Sequence, residues 1–287
     1  MANGQQTVLI TGGTDGLGKA AALLLAEQGY RVFAAGRSAE KRVELDRVAG
    51  AKKLPLESLE LDVCDDGSVN RGVAQVLEEA GSIDVLINNA GIGMMAVVEE
   101  LKPTDLHRVY ETNIFGVLRV TQAVLPHMRE RRQGRILMLS SVAGIITPPL
   151  YGAYSSSKHA LEGLSNALRL ELYPFGIDVV LIEPGYISTE FQQTARELGR
   201  AYSDGAAASP YRKVYEGARA GADAGRARSK TTPEDCARVI LRAIEAPRPL
   251  PRYGVTPLAT LAKWAKRLAS DGFLDRFLRN RYGIKRG

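Results

Sequence analysis

Tyr154 and Lys158 stand four residues apart in the run Tyr154-Ser-Ser-Ser-Lys158. On a helix, positions i and i+4 share a face, so a phenol and an ammonium become neighbours. A free phenol titrates near 10 and is a poor base at neutral pH. An adjacent cation favours phenolate and lowers that value, which would make the pair a usable general acid/base. Ser141, upstream, could hydrogen-bond the same substrate oxygen. Taken alone, a Tyr/Lys pair at this spacing is an ordinary surface contact. Its company raises it above that.

The string Thr11-Gly-Gly-Thr-Asp-Gly-Leu-Gly18 follows a short apolar run and opens a helix-like segment. Gly12, Gly16 and Gly18 allow a tight turn and let backbone N–H groups approach a pyrophosphate at the positive helix end. Gly13, Thr14, Asp15 and Leu17 complete the loop. Glycine strings are weak signals, but the strand–loop–helix context predicts a dinucleotide site. In such sites an acid at the end of the second strand pairs with the ribose 2′-hydroxyl, while an arginine accommodates a 2′-phosphate. Here that strand ends Ala35-Gly36-Arg37-Ser38, with no acid. Arg37 and the Ser38 hydroxyl therefore point to NADP(H). Asp15 argues the other way, because a carboxylate near the loop repels phosphate.

These groups need elements to hold them. Nearly continuous apolar runs occur at Val8–Ile10, Arg31–Ala35, Leu56–Leu61, Ile83–Ile87, Arg135–Leu139 and Ile177–Ile182. Such runs suit parallel strands covered on both faces. Helix candidates lie between them: Leu17–Gln28, Ser68–Glu79, Thr104–Met128 and Ala153–Tyr173. The alternation predicts a single-domain α/β fold, a Rossmann-type doubly wound parallel sheet with helices on both faces. The polar residues Asp62, Asn88-Asn-Ala-Gly91, Ser140-Ser141 and Pro184-Gly185 each follow a strand run. Ligands of open parallel sheets bind outside those carboxyl ends. Residues 191–232 read as an excursion that could serve as a lid, and Thr232-Pro-Glu-Asp235 as a helix start. Arg252–Val255 reads as a last short strand, and residues 256–287 as a basic amphipathic tail.

Composition narrows the function classes. The 287 residues are 45% hydrophobic and 24% charged, which excludes a wholly disordered chain. Net charge is +6, but from Pro247 to Gly287 ten Arg and Lys face two Asp, so the body is close to neutral. That argues against nucleic-acid binding. Cys64 and Cys236 form neither a disulfide framework nor a zinc spacing, and the N-terminus lacks a signal peptide. A reducing compartment, the cytoplasm, is expected. No apolar run reaches the roughly 18 residues of a membrane span. His107, His127 and His159 share no metal-like spacing, so no metal is expected.

With these motifs in order, the chain resembles the short-chain dehydrogenase/reductase family, in the subgroup with Thr-Gly-x3-Gly-x-Gly, Asn-Asn-Ala-Gly and Tyr-x3-Lys. The likeness covers about Thr7 to Thr189. It implies hydride transfer between nicotinamide C4 and a carbonyl carbon, with Tyr154 giving or taking the proton. It implies that Ser141 polarises the oxygen and that Lys158 binds the nicotinamide ribose and lowers the Tyr154 pKa. Asn113 would hold a water linking Lys158 to solvent. Asp62 and Val63 would contact adenine, while Asn89, Ala90 and Gly91 would shape the cofactor cleft. Pro184, Gly185, Ile187 and Thr189 would cradle the nicotinamide amide and the phosphate. Family relatives often pair through the two long helices, so a homodimer or homotetramer is expected.

The segment 232–255 is similar to the tails of hydroxysteroid- and retinol-dehydrogenase-like members. Met94, Met95, Val142, Ile145, Ile146, Leu150, Tyr151 and Tyr186 could line the substrate side. They suit an apolar ketone or secondary alcohol, steroid-like or similar, and NADP(H) favours reduction. Two rivals stand beside this expectation. One is a β-ketoacyl-carrier-protein reductase, for which Arg129, Arg131, Arg132 and Arg135 could dock an acidic carrier. The other is a non-catalytic dinucleotide-sensing protein. The tail, from Leu258 through Trp264 to Leu278, could pack on the domain, cover the substrate or lie on an anionic membrane. Packing is the favoured of the three.

Overall fold

The computed structural model describes residues 5–187 and 190–286, the side chains of 226–228, 258, 263–265 and 267 excepted. Its strands are β1 (Thr7–Thr11), β2 (Arg31–Gly36), β3 (Leu56–Glu60), β4 (Val85–Asn88), β5 (Gly134–Leu139), β6 (Ile177–Glu183) and β7 (Arg252–Gly254). They form one sheet in the order β3-β2-β1-β4-β5-β6-β7. Every pairing is parallel. The order reverses at β1, and the crevice between β1 and β4 is where such a sheet opens for a ligand.

Helices cover both faces. α1 (Gly16–Glu27) and α2 (Ala39–Ala51) take one face; α3 (Asp66–Ala80) takes the other. α4 (Pro103–Tyr110) leads towards α5 (Val117–Arg131), which joins α3 with α6 (Gly152–Leu172). After β6 come α7 (Glu190–Leu198), α8 (Arg200–Asp204) and α9 (Arg212–Arg228). α10 (Pro233–Glu245) then returns to pack on the α1 side, and α11 (Pro257–Leu268) and α12 (Asp271–Arg281) end the chain. The apolar runs of the strands follow from this double cover. Val8 and Ile10 enter the layer with α1, while Leu9 enters the layer with α3 and α5. Burying each such side chain contributes about 1.5–3 kcal/mol.

One expectation changes. The single helix expected over Thr104–Met128 is interrupted by a π-helical turn at Glu111–Gly116. Asn113, at its centre, is pinned by its amide to both backbone groups of Ile92, which gives the widened turn a local anchor. The excursion after Phe191 is mostly helical, as α7, α8 and α9. At the start of α10, Thr232 Oγ1 accepts from Asp235 N, and the Asp235 carboxylate accepts from Thr232 N. This closes a reciprocal cap.

Candidate active site

The glycine loop lies between β1 and α1. Gly12 and Gly16 have φ of +61° and +51°, where side chains are strained. A Cβ on Gly18 would overlap the Gly12 carbonyl oxygen. Thr11 Oγ1 accepts from the backbone N–H groups of Asn89 (3.0 Å) and Ala90 (3.1 Å). Asn89 Nδ2 donates back to the carbonyl oxygens of Thr11 (3.0 Å) and Gly12 (2.9 Å). Gly13 N donates to Ala35 O at 2.9 Å. Thr11, Gly13 and Gly18 therefore shape the loop from behind. Gly12, Thr14, Asp15, Gly16 and Leu17 line a cavity of about 880 Å³.

At one end of this cavity Arg37 follows β2, its guanidinium 3.6 Å from the Asp62 carboxylate and 66% exposed. Ser38 caps α2 by accepting from Lys41 N at 3.3 Å. Lys41, absent from the sequence expectation, reaches back into the site. Its ammonium pairs with Asp15 and, at 2.7 Å, with Glu190. Burial alone would raise the Asp15 pKa, but hydrogen bonding and attraction from Lys41 hold it below its ordinary value. Asp15 also caps α1, accepting from Gly16 N at 2.7 Å. Its charge is thus compensated within the fold, which weakens the objection it raised to a phosphate nearby.

Ser141, Tyr154 and Lys158 meet towards the other end. Ser141 caps the short turn Val142–Gly144, accepting from Ala143 N at 3.1 Å. Tyr154 and Lys158 project from the first turns of α6. The Lys158 ammonium lies over the Tyr154 ring, 5.7 Å from its centroid, and donates to Leu139 O at 2.6 Å. Here the expected electrostatics are reversed. Burial pushes Tyr154 up to about 12, with the Ser141 hydrogen bond opposing and Tyr151 adding to the rise. Burial likewise pushes Lys158 down to about 8, against the attraction of Glu162. The cation sits over the ring, engaged by a carbonyl, and desolvation sets the direction of the phenol's shift. At neutral pH this leaves a protonated phenol and a charged ammonium, which suits proton donation.

A family model described as short chain dehydrogenase matches residues 6–199. The chain belongs to that family. Among relatives, the 3-ketodihydrosphingosine reductase of Bacteroides thetaiotaomicron is 40% identical over 65% of this chain and 65% of its own length. Retinol dehydrogenase 8 of Bos taurus is 41% identical over 67% of this chain and 62% of its own. The chain therefore spans less than two thirds of either. The 17-beta-hydroxysteroid dehydrogenase type 1 of Homo sapiens is 35% identical over 87% of this chain and 77% of its own. A short-chain dehydrogenase from Burkholderia phymatum, solved in complex with NAD, matches with a TM-score of 0.80 at 25% identity over 95% of each chain. An actinorhodin polyketide ketoreductase with NADPH gives 0.75 at 31% identity over 88% of this chain and 95% of that one.

In this short-chain dehydrogenase the remaining candidates fall into three groups. Arg37, Ser38, Asp62, Val63 and Asn89 line the cavity, as do Ala90, Gly91, Pro184, Gly185 and Ile187. Tyr151 and Tyr186 line it on the substrate side, with Val142 and Ile146. Asn113 stands behind it, fully buried, donating to Ser157 Oγ (2.9 Å) as well as Ile92 O. Four substrate candidates are corrected. Met94 is buried against Val109 and Ala153, and Met95 joins a separate cluster with Leu150 and Tyr215. Neither these two nor Leu150 nor Ile145 is among the lining residues: Met94, Met95 and Leu150 are spent on packing, while Ile145, half-buried after β5, lies off the wall. Thr189 lies outside the described residues.

The spacing of motifs also missed part of the wall. Phe191 places its ring 5.2 Å from that of Tyr154. Phe277, Leu278, Arg281 and Tyr282 reach the cavity from the end of the chain. The amphipathic tail was the sequence sign of this, with covering the substrate one of its three readings and not the favoured one. Three of the four clustered arginines are committed within the fold. Arg131 pairs with Asp84 (2.9 Å), Arg132 donates to Pro174 O (2.7 Å), and Arg135 pairs with Asp178 (2.8 Å).

Proposed function

We propose that this short-chain dehydrogenase is an NADP(H)-dependent oxidoreductase that interconverts an apolar ketone and its secondary alcohol, with Tyr154 as the acid/base. The observation carrying this reading is the convergence of Ser141, Tyr154 and Lys158 on one cavity whose far end is the glycine loop. The loop fits a dinucleotide: its glycines are required by φ and close approach, and it opens the positive end of α1. A bound nicotinamide dinucleotide would supply the hydride for reduction or take it for oxidation. In reduction, Tyr154 gives its hydroxyl proton to the carbonyl oxygen as the carbon accepts the hydride. Ser141 donates to the same oxygen and orients it. Lys158 keeps a positive charge beside the phenol as it becomes phenolate. Asn113 holds the Ile92 backbone and Ser157, bracing the floor behind Lys158.

Arg37, Lys41 and Ser38 support a 2′-phosphate, since each supplies donors or positive charge at the end of β2. Apolar side chains on the substrate wall support a lipid-like carbonyl compound, as do the names of relatives that refer to ketodihydrosphingosine, retinol and hydroxysteroid. The carrier-protein alternative is weakened, because three of its four arginines already have partners within the fold. The test is NADPH consumption against steroids, aromatic ketones, β-ketoacyl thioesters and sugars. Steady turnover of an apolar ketone is expected, with at least tenfold higher kcat/KM for NADPH than NADH. Equal or better use of NADH sinks the cofactor assignment. No turnover of any panel member favours a dinucleotide-sensing protein instead.

A further inference from the structure

The outer side of the substrate cavity is closed by the last residues of the chain. Tyr282 seats against the glycine face of α9. A Cβ on Gly217 would overlap the Tyr282 carbonyl oxygen, and one on Gly221 would overlap its ring. Tyr282 also packs with Tyr151, Leu150 and Tyr215. This close seating fixes the end of α12, so Phe277, Leu278 and Arg281 are held at the cavity wall.

The charges along the cavity are otherwise accounted for. Lys41 pairs with Asp15 and Glu190, Arg37 pairs with Asp62, and Lys158 donates to the Leu139 carbonyl. Arg281 is different. It lies half-buried at the substrate end and donates to Gly221 O at 3.2 Å. Among the described residues no carboxylate pairs with it. A guanidinium carries five N–H donors in a planar fork that matches carboxylate or phosphate oxygens. Other residues on this wall, Leu278 and Ala222, are apolar and would sharpen its attraction for an anion by keeping water away.

We propose that Arg281 recognises an anionic group at the far end of the substrate, so that the ligand is an apolar carbonyl compound bearing a carboxylate or phosphate. This rests on the reductase reading above and adds the substrate's charge to it. In the reaction, Arg281 is a specificity residue: it holds the end of the substrate that does not react, while Tyr154 and Ser141 take the carbonyl.

The test compares an alkyl aryl ketone with the same ketone carrying a terminal carboxylate, and a terminal phosphate as a third member. The wild-type enzyme should show at least tenfold higher kcat/KM for one or both anionic ketones. The preference should shrink when NaCl is raised from 0.1 to 0.5 M. Arg281→Met should reduce it to within about twofold by lowering kcat/KM for the anionic ketones far more than for the neutral one, and Arg281→Lys should restore part of it. Calorimetric titration of the three ketones, which needs no turnover, should show the same order of affinities. Equal affinities in the wild type overturn the proposal. So does an Arg281→Met variant that loses all three ketones equally, since that marks a purely structural wall. Anion-selective binding without turnover of any ketone would instead defeat the reductase reading and leave the anion site standing.

Discussion

Tyr154, Lys158 and Glu162 follow one another at i, i+4 along one face of α6, and the Glu162 carboxylate acts on Lys158. Glu162 is itself buried and bonded to Arg252, which also holds Glu183 at 2.7 Å. Its carboxylate is the attraction that opposes the desolvation of Lys158. With Lys158 near 8 and Tyr154 near 12, raising the pH removes the ammonium proton first, while the phenol stays protonated. Ketone reduction should therefore be level up to pH 7 and decline above about 8. Glu162→Gln takes away the supporting negative charge, so its basic limb should move to lower pH. A profile of kcat/KM between pH 6 and 10 checks this, and an unmoved limb would show that Glu162 does not act on Lys158. Tyr154→Phe should lose turnover by at least a thousandfold while still binding NADPH, as read by fluorescence. At this scale the residue types and their order were legible from spacing, because i, i+4 geometry is local. The direction of the Tyr154 shift was not. It depends on how much water the surrounding elements remove, which no spacing encodes.

Elements differ in how far their own sequence announces them. α10 declares its start through Thr232, Pro233 and Asp235, and the reciprocal cap forms as that pattern demands. Its buried face, with Cys236, Ile240 and Ala243, packs on the α1 side of the sheet. Thr232→Ala should cost about 1 kcal/mol, and Thr232→Asp much less, since aspartate caps as well. In a chain of this size that is a fall in Tm of about 2–4 °C for the alanine variant, measurable by scanning calorimetry. An unchanged Tm would mean that tertiary packing alone fixes the start of α10. By contrast, α2 buries only Leu45 and Ala49, and its hydrophobic spacing gives no sign of a helix. Yet α2 carries Lys41, the cation that neutralises Asp15 and extends the basic end of the cavity. The π-turn at Asn113 is equally silent in sequence. It exists because the Asn113 amide finds the Ile92 backbone, a contact set by the fold around it.

On the scale of the whole molecule, the parallel sheet and its double cover of helices were readable because continuous apolar strands alternate with helical segments. The destination of the tail was hidden, since an amphipathic helix shows that it has an apolar face but not what that face meets. In the structure the tail is divided: Ala259, Ala262 and Leu274 are buried inward, while Leu261, Leu268, Phe273 and Phe277 remain exposed. Exposed apolar side chains also lie on α5 and α6. Leu118 of α5 and Leu164 and Leu170 of α6 are exposed, with Tyr173 just beyond, 83% exposed. α6 has 21 residues and is about 31 Å long, enough to anchor a standard-sized interface against a second copy of itself. The tail surface is flanked by Lys266, Arg276 and Arg279, and like charges would meet if two tails packed together. The α5/α6 face is therefore the better self-complementary surface. Light scattering should give a mass of at least twice the 31.1 kDa chain. Leu164→Glu with Leu170→Glu should shift the protein towards monomer while retaining its circular dichroism, because neither side chain contributes to the core. A wild-type mass of one chain at micromolar concentration, or a double variant that stays associated, would remove α6 from the interface. In the second case the exposed tail is the next surface to test, with Phe273→Glu and Phe277→Glu as the substitutions that should break the association.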